Sequence, residues 1–131
     1  MLGMIGDEQR YWERVGGTLV EEFCAVPRSP NCSNRLIDGI IIKGGVQRIA
    51  QQAEVDIEGK DIVIVQAKAR RLGMYLMGQA FFSAELMQAF KPRSIESVAL
   101  VSRDDHVLRP IFEKYKGMRV VVCPPEVLTR R

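Results

Sequence analysis

The segment Asp61-Ile62-Val63-Ile64-Val65-Gln66-Ala67-Lys68 decides the fold of this chain. Its run of β-branched residues predicts a buried strand, and the side chains of a strand alternate between two faces. One face therefore carries Ile62, Ile64, Gln66 and Lys68, and the other carries Val63, Val65 and Ala67. The first face changes from apolar to polar at its C-terminal end, where sheet proteins commonly place reactive groups. A strand that simply leaves the core is the plainer interpretation of the same residues.

Composition sets broad limits on the class of protein. The 131 residues, 47% hydrophobic and 27% charged, suit a single domain with a real core over 1–131. We expect no membrane span, because no apolar run reaches the ~18 residues that a bilayer-crossing helix needs. Three cysteines in no metal-ligand spacing indicate a reduced, cytoplasmic protein without structural zinc. The net charge of +3 permits an anionic partner without requiring one.

The patterning along the chain predicts the order helix, three strands, helix, strand, helix, strand. The expected ranges are 6–15 (helix), 18–26, 36–42 and 61–68 (strands), 72–90 (helix), 94–102 (strand), 104–116 (helix) and 120–122 (strand). Residues 43–60 lack a clear pattern and are expected to form an insert with a helical turn at 46–52. The order predicts an α/β (α+β) fold with a mixed sheet flanked by helices. Its core spans about 6–102, followed by a C-terminal helix and strand over about 104–123 and a short tail at 124–125.

The first helix carries a candidate acid. Asp7 is the expected N-cap, and Trp12 and Val15 define an inward stripe. Glu8 precedes these two residues by four and seven positions, so it shares the stripe. An acid in a first helical turn is also favoured by the helix dipole, which gives Glu8 a purely structural alternative.

Asp38 is conspicuous because it interrupts the strand 36–42, which is apolar on both faces. A strand of this kind belongs in a sheet that is covered on both sides. A buried carboxylate there costs several kcal/mol unless it is paired, hydrogen-bonded or bound to a metal. Asp38 is therefore a candidate partner for the polar end of the strand 61–68.

Strand register separates Asp38 from a second candidate, Asp56. A tight hairpin at 58–60 would leave Asp56 roughly 13 Å from Gln66, at ~3.3 Å per residue. Pairing Asp38 with Gln66 instead gives every apolar residue an apolar partner. In that register Ile40 faces Ile64 and Ile42 faces Ile62. The sequence therefore favours Asp38.

An aspartate, an amide oxygen and a lysine at one end of a sheet can cleave a phosphodiester. The oxygens suit Mg²⁺ or Mn²⁺, and the lysine stabilises charge that develops on the phosphate. These residues and the element order resemble the PD-(D/E)xK nuclease superfamily, whose restriction-endonuclease-like core is helix, three strands, helix, strand. The segments Leu36-Ile37-Asp38-Gly39-Ile40 and Val65-Gln66-Ala67-Lys68 are similar to Mrr-type restriction enzymes and archaeal Holliday-junction resolvases.

The resemblance, which covers about 6–102, implies roles for particular residues. It implies Asp38, Gln66 and Lys68 as catalytic residues, and Asp38, Gln66 and Glu8 as ligands of Mg²⁺ or Mn²⁺. Gln66 departs from the acid that is usual at its position, although glutamine is a known variant in Mrr-type enzymes. The site thereby loses one negative charge, so weaker Mg²⁺ binding is expected unless Glu8 contributes.

Three further residues are candidates for nucleic-acid binding. Arg70 and Arg71 follow the strand directly and can contact phosphate, or they are simply a solvated basic pair. Gln79 stands out in the apolar helix, with Tyr75 and Ser83 one turn to either side. Members of the superfamily often place a polar helix residue over the active site, and a satisfied core amide is the alternative.

Two functions remain open at this point. The leading hypothesis is a small metal-dependent nuclease that acts on DNA rather than RNA. The alternative is a binding or assembly module that keeps the nuclease fold without its chemistry. The helix 72–90 is too apolar for a one-sided surface helix, which predicts a homodimer formed through this helix or through the edge strand.

Overall fold

The computed structural model describes residues 7–123, so the expected tail at 124–125 lies outside the described residues. Its helices are α1 (Asp7–Val15), α2 (Met74–Met87) and α3 (Leu108–Phe112). Its strands are β1 (Thr18–Val26), β2 (Arg35–Ile42), β3 (Arg48–Ala50), β4 (Asp61–Arg71), β5 (Ser94–Arg103) and β6 (Met118–Val122). Single 3₁₀ turns at Gln52–Glu54 and Gln88–Phe90 follow β3 and α2. Within 7–123, the helices fall short of the length and apolarity that crossing a bilayer demands.

The strands form one mixed sheet in the order β3-β1-β2-β4-β5-β6. β2 is antiparallel to β1 and β4, whereas β4, β5 and β6 are mutually parallel and β3 is parallel to β1. The expected α/β (α+β) class with a mixed sheet flanked by helices is confirmed. One consequence matters for the site. The start of β2 and the ends of β1, β4 and β5 lie at the same end of the sheet.

Both faces of the sheet are covered, as the two-sided apolar strands predict. The face we call the α2 face packs Ile40, Ile62 and Ile64 against α2 residues such as Leu76. The opposite α1 face packs its own set around Tyr11 of α1. That set is Leu19, Ile41, Val63, Val65, Val98, Leu100 and Cys123. The predicted register is confirmed, since Ile40 pairs with Ile64 and Ile42 with Ile62.

The orientation of α1 differs from the predicted stripe. Tyr11 is the buried side chain, Trp12 is half-buried, and Val15 is 42% exposed. Tyr11 is held inward because its hydroxyl accepts a hydrogen bond from Arg119 of β6 at 2.8 Å. Asp7 is the first residue inside the helix rather than its N-cap, and it pairs with Arg10 at 3.0 Å.

The insert between β2 and β4 forms a strand where a helical turn was expected. β3 pairs with β1 in register, Thr18 with Arg48 and Val20 with Ala50. The Gln52 side chain fastens the following turn, because its amide donates to the Cys24 carbonyl at 3.0 Å and accepts from the Cys24 N–H at 2.7 Å. Pairing with the otherwise open edge of β1 outweighs the local helical preference.

The C-terminal helix is much shorter than predicted. α3 covers only Leu108–Phe112 rather than 104–116, and β6 begins at Met118 rather than at residue 120. The Asp105 carboxylate accepts the N–H groups of Val107 and Leu108, both at 2.9 Å. A turn at residues 106–107 separates Asp105 from the helix, whose N-cap position is Val107, and this turn delays the start of the helix. α2 is likewise shorter than the expected range 72–90.

The junction between α1 and β1 fixes where α1 lies on the sheet. The Gly16 N–H donates to the Trp12 carbonyl and the Trp12 indole donates to the Gly17 carbonyl, both at 2.7 Å. Gly17 has φ +88, and a Cβ there would clash with the carbonyl oxygen of Ile42. No other residue type fits this position without moving β2. The junction therefore also determines where Glu8 meets the sheet.

We expect Gly17→Ala to destabilise the fold by about 2–5 kcal/mol, the sum of a left-handed backbone and a steric clash. Gly44→Ala is the matched control, because Gly44 has φ +76 and nothing within 4 Å of an added Cβ. This control should lose only about 1–2 kcal/mol. Urea denaturation measures both free energies of unfolding. Equal losses in the two variants would contradict the close approach at Gly17.

Candidate functional site

Asp38 and Gln66 meet where β2 and β4 separate. The regular pairing of the two strands ends at Gly39 opposite Val65. Beyond that point the Asp38 Oδ2 accepts the Ala67 N–H at 2.8 Å, and the Gln66 Oε1 accepts the Asp38 N–H at 3.3 Å. Each side chain thus bonds to the backbone of the other strand in place of ladder bonds. The structure joins the two residues that the register argument paired.

A shift in side-chain alternation accompanies this separation. Phe23 pairs with Ile37, and between Phe23 and Glu21 the chain passes through Glu22 with φ 51. Ile37 and Ile40 belong to the same core cluster although they lie three residues apart. The regular period of two is therefore broken at Asp38. As a result Asp38 is exposed, and the expectation of a buried carboxylate is wrong.

Gln66 is buried and connects β2 to α2. Its side chain is only 4% exposed, and its Nε2 donates to the Ser83 Oγ of α2 at 2.8 Å. The orientation of the amide follows from the Asp38 N–H, which can only donate, so that the oxygen must face it. The amide oxygen has two lone pairs, and the Asp38 N–H takes one of them.

Glu8 lies on the α1 face, close to Asp38. Glu8 packs over Gly39, since a Cβ at Gly39 would be in ordinary van der Waals contact with the Glu8 Cβ and Cγ at 3.6 Å. Burial is the main cause that raises the pKa of the Glu8 carboxyl, a backbone hydrogen bond opposes it, and the charges of Glu21 and Asp38 raise it further. We call Glu8, Glu21 and Asp38 the acid group. Glu21 also accepts a hydrogen bond from the Gln9 amide at 2.8 Å.

Glu21 was missed by the sequence analysis. It pairs with Gly39 across β1 and β2, directly beside Asp38. Only the β1–β2 register brings these positions together, and the sequence analysis derived the register of β2 with β4 alone.

Lys68 shares the α2 face with Gln66. In the parallel register of β4 and β5, Gln66 pairs with Ala99 and Lys68 with Val101, and both partners belong to the α2-face core. Lys68 itself is exposed and makes no hydrogen bond or ion pair with any residue between 7 and 123. Its amine is therefore available to a ligand.

The end of β4 carries a row of exposed cations. Arg70 is exposed, and Arg71 donates to the Asp104 carbonyl at 2.7 Å. Arg71 also pairs with Arg103 of β5 beyond a bulge. We call Lys68, Arg70, Arg71 and Arg103 the basic row. Arg103 was not predicted, because its place beside Arg71 depends on that bulge.

A groove of about 580 Å³ runs between α2 and the start of β2. Gln66 and Ser83 are buried lining residues, and the exposed Tyr75 and Gln79 line it from α2. Gln79 thus lines the same groove as Gln66. Asp38, Glu8 and Lys68 are not among the lining residues. The candidate residues therefore occupy two neighbouring places, the groove and the acid group, which the Asp38–Gln66 hydrogen bond connects.

The metal-binding potential of the site is modest. Across residues 7–123, no three His, Cys, Asp or Glu side chains are grouped as a metal site. The Glu8 carboxyl interacts with Glu21 and Asp38, and the Gln66 Oε1 accepts the Asp38 N–H. Mg²⁺ commonly takes one or two carboxylates and retains several waters, so these oxygens provide at most a weak Mg²⁺ or Mn²⁺ site.

Comparison with models of known protein families, with curated proteins and with solved structures gives no match to this chain. The function must therefore be argued from the geometry of the acid group, the groove and the basic row.

We expect the Glu8 carboxyl to titrate above the ordinary glutamate pKa, about 4.3. Because its pKa is higher in the folded than in the unfolded state, its contribution favours folding below the ordinary value and is lost as the pH rises through the raised value. Glu8→Gln should therefore flatten the decline in stability over that window. Carboxyl NMR titration and denaturation at several pH values measure both effects.

Substitutions of the neighbours test the cause of this shift. Glu21→Gln and Asp38→Asn should each lower the pKa of Glu8, with the larger change from Glu21, whose charge acts more strongly. Glu58→Gln, at an exposed position at the other end of the sheet, is the control and should leave it unchanged. An ordinary pKa for Glu8 in the unaltered chain would contradict the claim that burial and the charges of Glu21 and Asp38 raise it.

Proposed function

We propose that this chain is a small metal-dependent nuclease that hydrolyses phosphodiester bonds, in DNA rather than RNA, and that it acts in the cytoplasm. The observation that carries the proposal is the pair of hydrogen bonds between Asp38 and Gln66 at the point where β2 and β4 separate. This point lies at the end of the sheet that also carries the basic row. Acceptors for a cation and donors for phosphate are thus adjacent.

The element order supports assignment to the PD-(D/E)xK superfamily with a restriction-endonuclease-like core. α1, β1, β2, β4, α2 and β5 follow one another as helix, three strands, helix, strand, and β3 is an added edge strand. The segments around Asp38 and Gln66 resemble those of Mrr-type restriction enzymes and archaeal Holliday-junction resolvases. α3 and β6 extend this core.

Asp38, Gln66 and Glu8 are the residues that would hold Mg²⁺ or Mn²⁺. The cation would supply polarisation of the scissile phosphate and a water of lowered pKa. Burial is the main cause of the raised Glu8 pKa, and the charges of Glu21 and Asp38 add to it. A cation at this place would relieve the repulsion among these carboxylates, which supports the proposed metal site.

Lys68 and the arginines would act on the phosphate. The exposed amine of Lys68 can stabilise negative charge that develops on the phosphate oxygens. Arg70 and Arg71 can hold the neighbouring phosphates and so fix the strand in register, without reading its sequence. Ser83 keeps the Gln66 amide in place through its hydrogen bond.

One observation favours the alternative, a nuclease-fold module without catalysis. Both ends of the buried Gln66 amide are engaged, one by the Asp38 N–H and one by Ser83. A glutamine with this environment has a sufficient structural role. The alternative predicts binding or assembly without metal-dependent cleavage.

Lys68→Ala decides between the two functions. We expect it to lower the rate of Mg²⁺- or Mn²⁺-dependent cleavage of labelled DNA about 100-fold or more, because a group that acts on developing charge contributes to turnover. The dissociation constant for DNA should change only a few-fold, since one phosphate contact is lost. Lys116→Ala is the control, an exposed lysine at the opposite end of the sheet.

Gln66→Glu completes this test. The new carboxylate can still accept the Asp38 N–H, and the Ser83 hydroxyl can turn to donate to it. We expect tighter Mg²⁺ binding by calorimetry, abolished by adding Asp38→Asn. A chain that cleaves none of linear, branched or single-stranded DNA, and in which Gln66→Glu binds no Mg²⁺, would establish the inactive module instead.

The exposed apolar side of α2 supports a homodimer. Met74 is 73% and Phe82 64% exposed, which is high for large apolar side chains on a helix. With Met77, Phe81 and Tyr115 they border an apolar depression of about 330 Å³. A second copy of the chain would cover this surface and bring two sites to the two strands of a duplex.

Met74→Glu should convert the dimer to a monomer. The new charge would lie inside the interface, while its place in the first turn of α2 is favourable for the helix itself. Val46→Glu is the matched control, since Val46 is 70% exposed in the insert away from α2. Light scattering measures both masses. A monomeric unaltered chain at high micromolar concentration would refute the dimer.

A further inference from the structure

The groove between α2 and the start of β2 contains buried donors without a protein acceptor. Gln66 Nε2 carries two hydrogens and gives one to Ser83. The Ser83 hydroxyl accepts that bond, and its own proton has no acceptor among residues 7–123. Both side chains are more than nine-tenths buried and line the groove. Buried donors of this kind require an acceptor from a ligand or from solvent.

The walls of the groove match the parts of a nucleotide. Tyr75 is 74% exposed, so its ring is available for stacking. Gln79 stands one turn further along α2 and can bond to the edge of a base in either direction. Arg35 lines the groove at the start of β2 and can contact a phosphate. Glu85 also lines the groove, and its negative charge disfavours a phosphate in that part of it.

From these contacts we propose that the groove binds one unpaired base of a DNA strand, stacked on Tyr75, with its edge on Gln79 and on the donors of Gln66 and Ser83. The proposal deepens the nuclease function and rests on it for the identity of the substrate. The volume of about 580 Å³ is that of a small-molecule site and far too small for a duplex. A paired base hides both its stacking face and its Watson–Crick edge, so only an unpaired base makes all these contacts.

This groove gives the enzyme a preference for DNA with a single-stranded end, flap or gap. The phosphates that follow the bound base would continue toward the basic row, because Arg35 at the start of β2 and Lys68 at the end of β4 lie at the same end of the sheet. The bound base thus places the strand beside Asp38.

The test measures binding without cleavage, in Lys68→Ala protein with no divalent metal. Fluorescence anisotropy compares fluorescein-labelled dT12 with a 12-base-pair duplex. Adding Tyr75→Ala should weaken dT12 binding about tenfold, the usual loss of one stacked base, and change duplex binding less than twofold. Tyr75→Phe keeps the ring and should bind dT12 like the parent. Gln79→Ala should weaken the binding of dT12 several-fold.

Val46→Ala is the control, because Val46 is 70% exposed and lines neither the groove nor the apolar depression. It should leave dT12 binding unchanged. Equal thermal melting of the variants confirms that the exposed Tyr75 has no structural role. Three results would each overturn the proposal that the groove binds an unpaired base. They are unchanged dT12 binding in Tyr75→Ala, equal losses of dT12 and duplex binding in that variant, and no binding of dT12 by the parent.

The experiments distinguish a failure of the proposed base binding from a failure of the proposed nuclease function. Tyr75-dependent dT12 binding in a chain that cleaves no DNA with Mn²⁺ would support the groove and refute the nuclease. Metal-dependent cleavage by a chain whose dT12 binding does not depend on Tyr75 would do the opposite.

Discussion

The parting of β2 and β4 would leave the N–H groups of Asp38 and Ala67 without ladder partners. The side chains of Gln66 and Asp38 satisfy these two groups, so they hold the sheet together at the point where it opens. This constraint explains why an amide suits position 66. It accepts from Asp38 and donates to Ser83 without burying a charge. The same bonds orient the polar groups of the candidate site, so the structural demand and the demand of the proposed function coincide there.

Charge is distributed unevenly around this opening. The acid group lies where α1 meets β1 and β2, and the raised pKa of Glu8 shows that burial and its neighbours disfavour a further negative charge there. The basic row lies at the ends of β4 and β5, next to Asp104 and Asp105. A net charge of +3 conceals this separation. A cation and a phosphate would each be attracted to a different side of Asp38, as the proposed metal-dependent cleavage requires.

The sequence predicted the central register correctly because only one pairing of β2 with β4 gives each isoleucine an apolar partner, as Ile40 with Ile64 shows. The sequence pattern did not predict the local structure around this register. The exposure of Asp38 results from a shift in alternation that accompanies the positive φ of Glu22, a conformation that no periodicity encodes. The position of Glu21 depends on pairing across β1, and β3 forms because an edge strand needs a partner. Composition and hydrophobic periodicity determine the layers of helices and sheet. Strand pairing between residues distant in sequence determines the candidate site.

The all-round apolarity of α2 has two causes in the structure. One side, with Leu76 and Met87, fills the core. The other side is exposed and borders both the groove at the start of β2 and the apolar depression, and Phe82 lines both. A partner subunit that packs on Phe82 would fix its side chain, and the entropy lost there would no longer be a cost of filling the groove. Assembly and strand binding would then favour each other through one side chain, which gives an exposed phenylalanine a reason to persist on this surface.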